Sequence, residues 1–99
     1  MINYIIYFAL NRVNGKMYIG LTKRSLSKRK YQHIWTSRNN PKSHFHKAIL
    51  KYGESNWVWG IFESGQTDDI LHVKQREIFY ISLHDSFNNG YNMTLGGED

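Results

Sequence analysis

The dipeptide Asn14-Gly15 stands between two runs rich in Ile, Tyr and Phe, and it constrains the fold more than any other short stretch. A two-residue type I′ turn needs positive φ at both central positions, which Asn and Gly supply at little cost. Tyr4 to Leu10 is therefore expected as one strand and Lys16 to Leu21 as its returning partner. Gly20, near the end of the second strand, marks a point where backbone passes close to something else.

The rest of the chain reads as three helices and one more strand. Ser25 is a plausible N-cap for a helix from Leu26 to about Thr36, on which Arg29 and His33, four apart, share one side. Ser37 to Lys42 is a loop. Ser43 can cap a second helix, where Phe45, Ala48, Ile49 and Tyr52 follow the i, i+3, i+4, i+7 pattern and Gly53 follows the end. Trp57 to Glu63 is a third strand, placed centrally by its bulk, with Gly60 as a bulge or close-approach point. Thr67, Asp68 and Asp69 form an acidic start for a third helix reaching about Leu83. The expected fold class is α+β: a three-stranded, mainly antiparallel sheet flanked by three helices, in the order β-β-α-α-β-α. At 99 residues, without repeat or linker, the chain is expected to form a single domain spanning 1–99.

Charge is divided along the chain. Residues 1–53 hold 11 Lys and Arg and no acid, whereas residues 54–99 hold all 8 acids and only Lys74 and Arg76. A basic surface of this kind suits a polyanion, although basic residues that merely solvate the surface would look the same. The absence of cysteine excludes disulfide frameworks, thiolate zinc sites and Cys nucleophiles. The apolar opening lacks a basic n-region and a small-residue cleavage site, and it is too short to span a bilayer. A cytoplasmic location is the matching expectation.

Several side chains stand out chemically. Ile70, Val73, Glu77 and Ile81 fall on one narrow stripe of the third helix. A carboxylate in an apolar stripe is costly unless it is paired or holds a cation, so Glu77 is either a metal ligand or one half of an ion pair with Lys74 or Arg76. Tyr7 and Tyr18 flank the hairpin and are either packing residues or catalytic phenols. A catalytic tyrosine needs a nearby cation or base that lowers its pKa. Arg29 suits bidentate phosphate binding, while Lys28 would act as a point charge. His44 and His46 invite a metal reading, but alternating residues on a helix point in different directions.

Taken together, Ile5-Ile6-Tyr7, Tyr18-Ile19-Gly20, Arg29, His33, Glu77 within Arg76 to Ile81, and Asn92 within Gly90-Tyr91-Asn92 resemble the GIY-YIG nuclease superfamily. The resemblance extends to the helix end Lys51-Tyr52-Gly53 and to Thr94-Leu95-Gly96-Gly97, and so covers nearly the whole chain in order. It is closest to the catalytic domains of phage-type intron homing endonucleases and their freestanding relatives. Two positions depart from the pattern: the first-signature glycine is Ile5, and the aromatic that often follows the arginine is Lys30. The resemblance implies a metal-dependent DNA endonuclease with one divalent cation, Mg²⁺ with Mn²⁺ able to substitute, on Glu77. It further implies Arg29 as phosphate clamp, Tyr7 as general base supported by Tyr18 and His33, and Gly20 and Asn92 in supporting places. Lys23, Arg24, Lys28 and Arg29 would meet duplex DNA. A catalytically silent nucleic-acid-binding module on the same fold is the alternative, and a protein-interaction domain a poorer third. No dedicated base reader is present, so a separate DNA-recognition module beyond residue 99 is compatible with this reading.

Overall fold

The computed structural model describes residues 1–96. Gly97, at the end of the Thr94 to Gly97 match, and Asp99, at the end of the expected domain, lie outside the described residues. The chain runs through β1 (Ile2–Asn11), β2 (Met17–Thr22), α1 (Leu26–Asn39), α2 (His44–Tyr52), β3 (Trp57–Thr67) and α3 (Ile70–His84), with a 3-10 turn at Glu54–Asn56. The expected order β-β-α-α-β-α and the antiparallel pairing are both present.

The hairpin between β1 and β2 forms, but by a longer turn than a type I′ pair. Gly15 alone has positive φ there, at 74°, and the ladder closes at Leu10 opposite Met17. Two asparagines explain the extra length. Asn11 Oδ1 accepts from the Val13 amide and Asn14 Oδ1 from the Lys16 amide, each at 2.9 Å. Such side-chain turns hold three residues in the loop before Gly15 redirects the chain.

The sheet order is β2-β1-β3, so β1 is central and β3 is an edge strand, contrary to the placement expected from its bulk. The hairpin occupies one side of β1, and the only free ladder for the returning chain is on the other. Bulk in β3 reflects packing against helices: Trp57 is buried, whereas Val58 and Ile61 are exposed. β3 also runs past Glu63 to Thr67, because its far half pairs with Ile2 to Ile6. The bulge lies at Phe62, between the pairs Ile6–Glu63 and Tyr7–Ile61, and not at Gly60. Gly60 is a close-approach point, since a Cβ there would sit 2.5 Å from the Phe8 ring.

Each helix begins where a short polar side chain can accept an otherwise unpaired amide. Ser25 caps α1 through Lys28 N–H, Ser43 caps α2 through His46 N–H, and Asp69 caps α3 through Leu71 N–H. Alternation along β1 sends Tyr7 and Ala9 to one face and Tyr4 and Ile6 to the other. The first face packs on Phe45, Ala48 and Ile49 of α2 together with Trp57 and Tyr91. The second packs on Val73 and Ile81 of α3. Phe45 is 1% exposed and stacks on Tyr18 at 4.2 Å, so it contributes about 1.5–3 kcal/mol of burial while backing the residues described next.

Candidate active site

β2 is an edge strand, and the elements on both sheet faces meet beside it. A cavity of about 300 Å³ opens there, lined among others by Tyr18, Arg29, His33, Glu77 and Asn92. Beside it runs a broader groove of about 920 Å³, lined by Lys23, Arg24 and Lys74. Tyr18, Arg29 and Glu77 belong to the walls of both. Residues separated by up to 59 positions thus form one wall, with a cation from α1 and a carboxylate from α3.

Tyr7 is placed differently. It is fully buried and does not line the cavity; its hydroxyl meets His33 Nε2 at 2.7 Å, behind Tyr18. The two phenol rings lie 6.2 Å apart. Gly20 makes this arrangement possible: opposite Tyr7 in the ladder, a Cβ at Gly20 would fall 2.4 Å from the Tyr7 hydroxyl oxygen. The close approach expected at Gly20 is therefore to the side chain of Tyr7.

Arg29 is held by Gln32, whose Oε1 accepts from Nη1 at 3.1 Å. His33 is buried, packed edge-on to Tyr18 and Phe45. Arg76 is engaged by Glu63, which also accepts from the Tyr4 and Tyr80 hydroxyls, so Arg76 is committed to tying α3 to β3. Among the lining residues Glu77 is the single acid in either space. Asn92 clips the open edge of β2: Ile19 N–H donates to its Oδ1 at 2.9 Å, and its Nδ2 donates to Ile19 O at 2.8 Å. Lys28 is exposed and lines neither space.

Electrostatics differ from the lowered phenol expected for a catalytic tyrosine. Burial pushes Tyr7 up, Tyr18 adds to this, and the Arg29 charge opposes without prevailing. Tyr18 is likewise raised by burial, with Arg29 lowering and Glu77 raising it. Burial, then Arg29 and His46, lowers His33 to about 3, so its imidazole is neutral at physiological pH.

Two residues of the site were legible only in other roles. His46 and Ser43 also line the cavity, and His46 Nε2 meets His33 Nδ1 at 2.8 Å. The spacing of His44 and His46 suggested only a metal pair, and Ser43 only a cap. Among the described residues no group of three or more His, Cys, Asp or Glu is arranged to hold a metal ion by itself.

Residues 3–92 match the model of the GIY-YIG catalytic domain. The chain belongs to the GIY-YIG family. Because the match is to the catalytic domain of that family, the chain is a nuclease domain of the GIY-YIG type. Two solved structures share its fold. One is the catalytic domain of the intron endonuclease I-TevI in a mutant form, 24% identical, covering 93% of this chain and 94% of that one with a TM-score of 0.80. The other is the catalytic domain of the homing endonuclease I-TevI, 24% identical, covering 92% and 98% with a TM-score of 0.76. No curated protein matches this GIY-YIG chain in sequence.

Proposed function

We propose that this GIY-YIG domain hydrolyses DNA phosphodiester bonds with one divalent cation, residues 1–99 acting as a single catalytic unit. The observation that carries the reading is the wall of Tyr18, Arg29 and Glu77 shared by the cavity and the basic groove. It supplies a fixed guanidinium, a carboxylate and a phenol at the place where a backbone lying in the groove would present a phosphate.

The residues fit a cation of the Mg²⁺ type. One carboxylate without further acidic neighbours suits a hard ion that keeps its waters and shares phosphate oxygens, and Mn²⁺ would substitute. Glu77 would hold it, and when bound it supplies charge neutralisation at the scissile phosphate and the leaving 3′ oxygen. Arg29, steadied by Gln32, clamps the phosphate bidentately and stabilises the charge that develops on it. Tyr7 is the proton acceptor by this reading. Because burial keeps its own hydrogen in place, it accepts only as it hands that hydrogen to His33. Since Tyr18 stands in front of it at the cavity wall, Tyr18 meets the attacking water and passes the proton back to Tyr7, which His33 supports.

Lys23, Arg24 and Lys74 line the groove for the duplex backbone, with Lys28 on the exposed side of α1. Phosphate contacts of this kind position a duplex without reading its sequence, so a separate recognition module would set the target. Among the described residues no helix is long and apolar enough to cross a membrane. The reading places the reaction in the cytoplasm, with DNA.

Plasmid nicking in Mg²⁺ tests the proposal. Glu77→Ala and Arg29→Ala are each expected to lose about 10²–10³-fold in rate, the cost of removing one preorganised charge. Wild type and both variants cutting equally would sink it. Binding without cleavage in any divalent metal would favour a silent binding module.

A further inference from the structure

Three hydrogen bonds continue from the buried tyrosine into the second helix. Tyr7 Oη is 2.7 Å from His33 Nε2, His33 Nδ1 is 2.8 Å from His46 Nε2, and His46 Nδ1 is 3.0 Å from Ser43 Oγ. Both ring nitrogens of both histidines are engaged, so neither ring turns without breaking two bonds. Capping of α2 accounts for Ser43, whose Oγ also accepts from His46 N–H at 3.1 Å. It does not account for a second imidazole facing His33.

The direction of the chain follows from its first member. With the Tyr7 hydroxyl donating to His33, His33 Nε2 accepts. Neutral His33 then carries its hydrogen on Nδ1 and donates to His46 Nε2. His46 in turn carries its hydrogen on Nδ1 and donates to Ser43 Oγ. All three bonds point outward from Tyr7, and Ser43 keeps its own hydroxyl hydrogen to give to water at the cavity rim.

We propose that His46 is a proton-relay residue, passing the proton that the tyrosine pair takes up on from His33 to Ser43 and solvent. This rests on the nuclease reading above. The step balances with every protein group of the chain left neutral. As a proton arrives at the Tyr7 oxygen, the phenol hydrogen moves to His33 Nε2. The His33 Nδ1 proton moves to His46 Nε2, the His46 Nδ1 proton to Ser43 Oγ, and the Ser43 hydroxyl proton to water. One proton has travelled from the attacking water to solvent, leaving hydroxide to form the new P–O bond while the 3′ oxygen departs. The reverse shift after product release restores the starting tautomers. Burial supports passage over storage, because His33 resists holding a second proton until the pH falls to about 3.

The test combines single-turnover plasmid nicking in Mg²⁺ with ring-nitrogen NMR of the wild-type protein. His46→Ala and His46→Gln are each expected to cut roughly 10²-fold more slowly, the scale of one proton-transfer contribution, with unchanged DNA affinity. Added imidazole is expected to restore His46→Ala but not Glu77→Ala. Gln can still accept a hydrogen bond from His33 but cannot relay a proton, so His46→Gln at the wild-type rate overturns the relay. So does a slow His46→Ala that imidazole leaves slow. The spectra should show Nδ1–H on both His33 and His46, and Nε2–H on His33 overturns the relay whether or not the variants fold. A wild type that binds DNA and never cuts refutes the nuclease reading instead, and the spectra still decide the hydrogen-bond direction.

Discussion

At Gly20 the side chain that is missing matters as much as the ones present. The space a Cβ would need is filled by the Tyr7 ring, whose hydroxyl meets His33 at 2.7 Å. Gly20→Ala is expected to destabilise the domain by about 1–3 kcal/mol through overpacking, and to lower cleavage as Tyr7 is displaced. Thermal melts paired with nicking assays would read both, and an unshifted melting temperature would contradict the contact. His33 makes a second prediction at this scale. Its folded pKa of about 3 lies below its ordinary 6.5, so between those values the unfolded chain binds a proton that the folded chain refuses. Stability is therefore fully present above about pH 6.5 and is lost as pH falls towards 3. Denaturant titrations across that window should show this slope in wild type and a shallower one in His33→Gln. Identical slopes would show that His33 is not held neutral.

Single elements are stitched together by side chains that act on backbone. Asn92 serves β2 as a short partner strand would, satisfying both free polar groups of Ile19, and Tyr91 N–H adds a bond to Met17 O at 2.9 Å. An exposed strand edge beside the basic groove would otherwise be open to pairing with other chains. Asn92→Ala is expected to cost about 1–3 kcal/mol and to raise hydrogen exchange at the Ile19 amide specifically. Unchanged protection at Ile19 would count against the clip. On the opposite edge Glu63 plays a comparable part, gathering Tyr4, Arg76 and Tyr80 onto the bulged segment of β3. That network keeps Arg76 away from the cavity and leaves Arg29 and Glu77 to define it.

For the whole molecule, the charge division along the chain becomes a division in space. The groove takes Lys23, Arg24 and Arg29 from the acid-free half, while α3 from the acidic half brings Lys74 and Glu77 to the shared wall. Affinity for duplex DNA is expected to fall steeply with salt as phosphate contacts release counterions. Replacing both Lys23 and Arg24 by Gln should reduce the slope of log K against log salt by about 2, at similar cost for any DNA sequence. A slope equal to wild type would remove the groove from the binding surface.

Where an interaction is local, the residue order alone specified it. The caps at Ser25 and Ser43 satisfy amides three residues away, and the α2 stripe buries Phe45, Ala48 and Ile49 as its spacing requires. The same holds for the element order, the antiparallel hairpin, and the close approach at Gly20. Five residues singled out through the family resemblance, Tyr18, Arg29, His33, Glu77 and Asn92, line one cavity. What depended on distant packing was not legible. Strand order was decided by which ladder of β1 the hairpin left free, so the heavy β3 is an edge. Burial behind Tyr18 raised the Tyr7 phenol despite Arg29, and a sequence carries no measure of that burial. Likewise His46 joins His33 only because α2 packs against α1, which turns a helix-start histidine into the outward end of a hydrogen-bond chain. Short-range geometry follows from covalent spacing, whereas the environment of a buried group is set by everything folded around it.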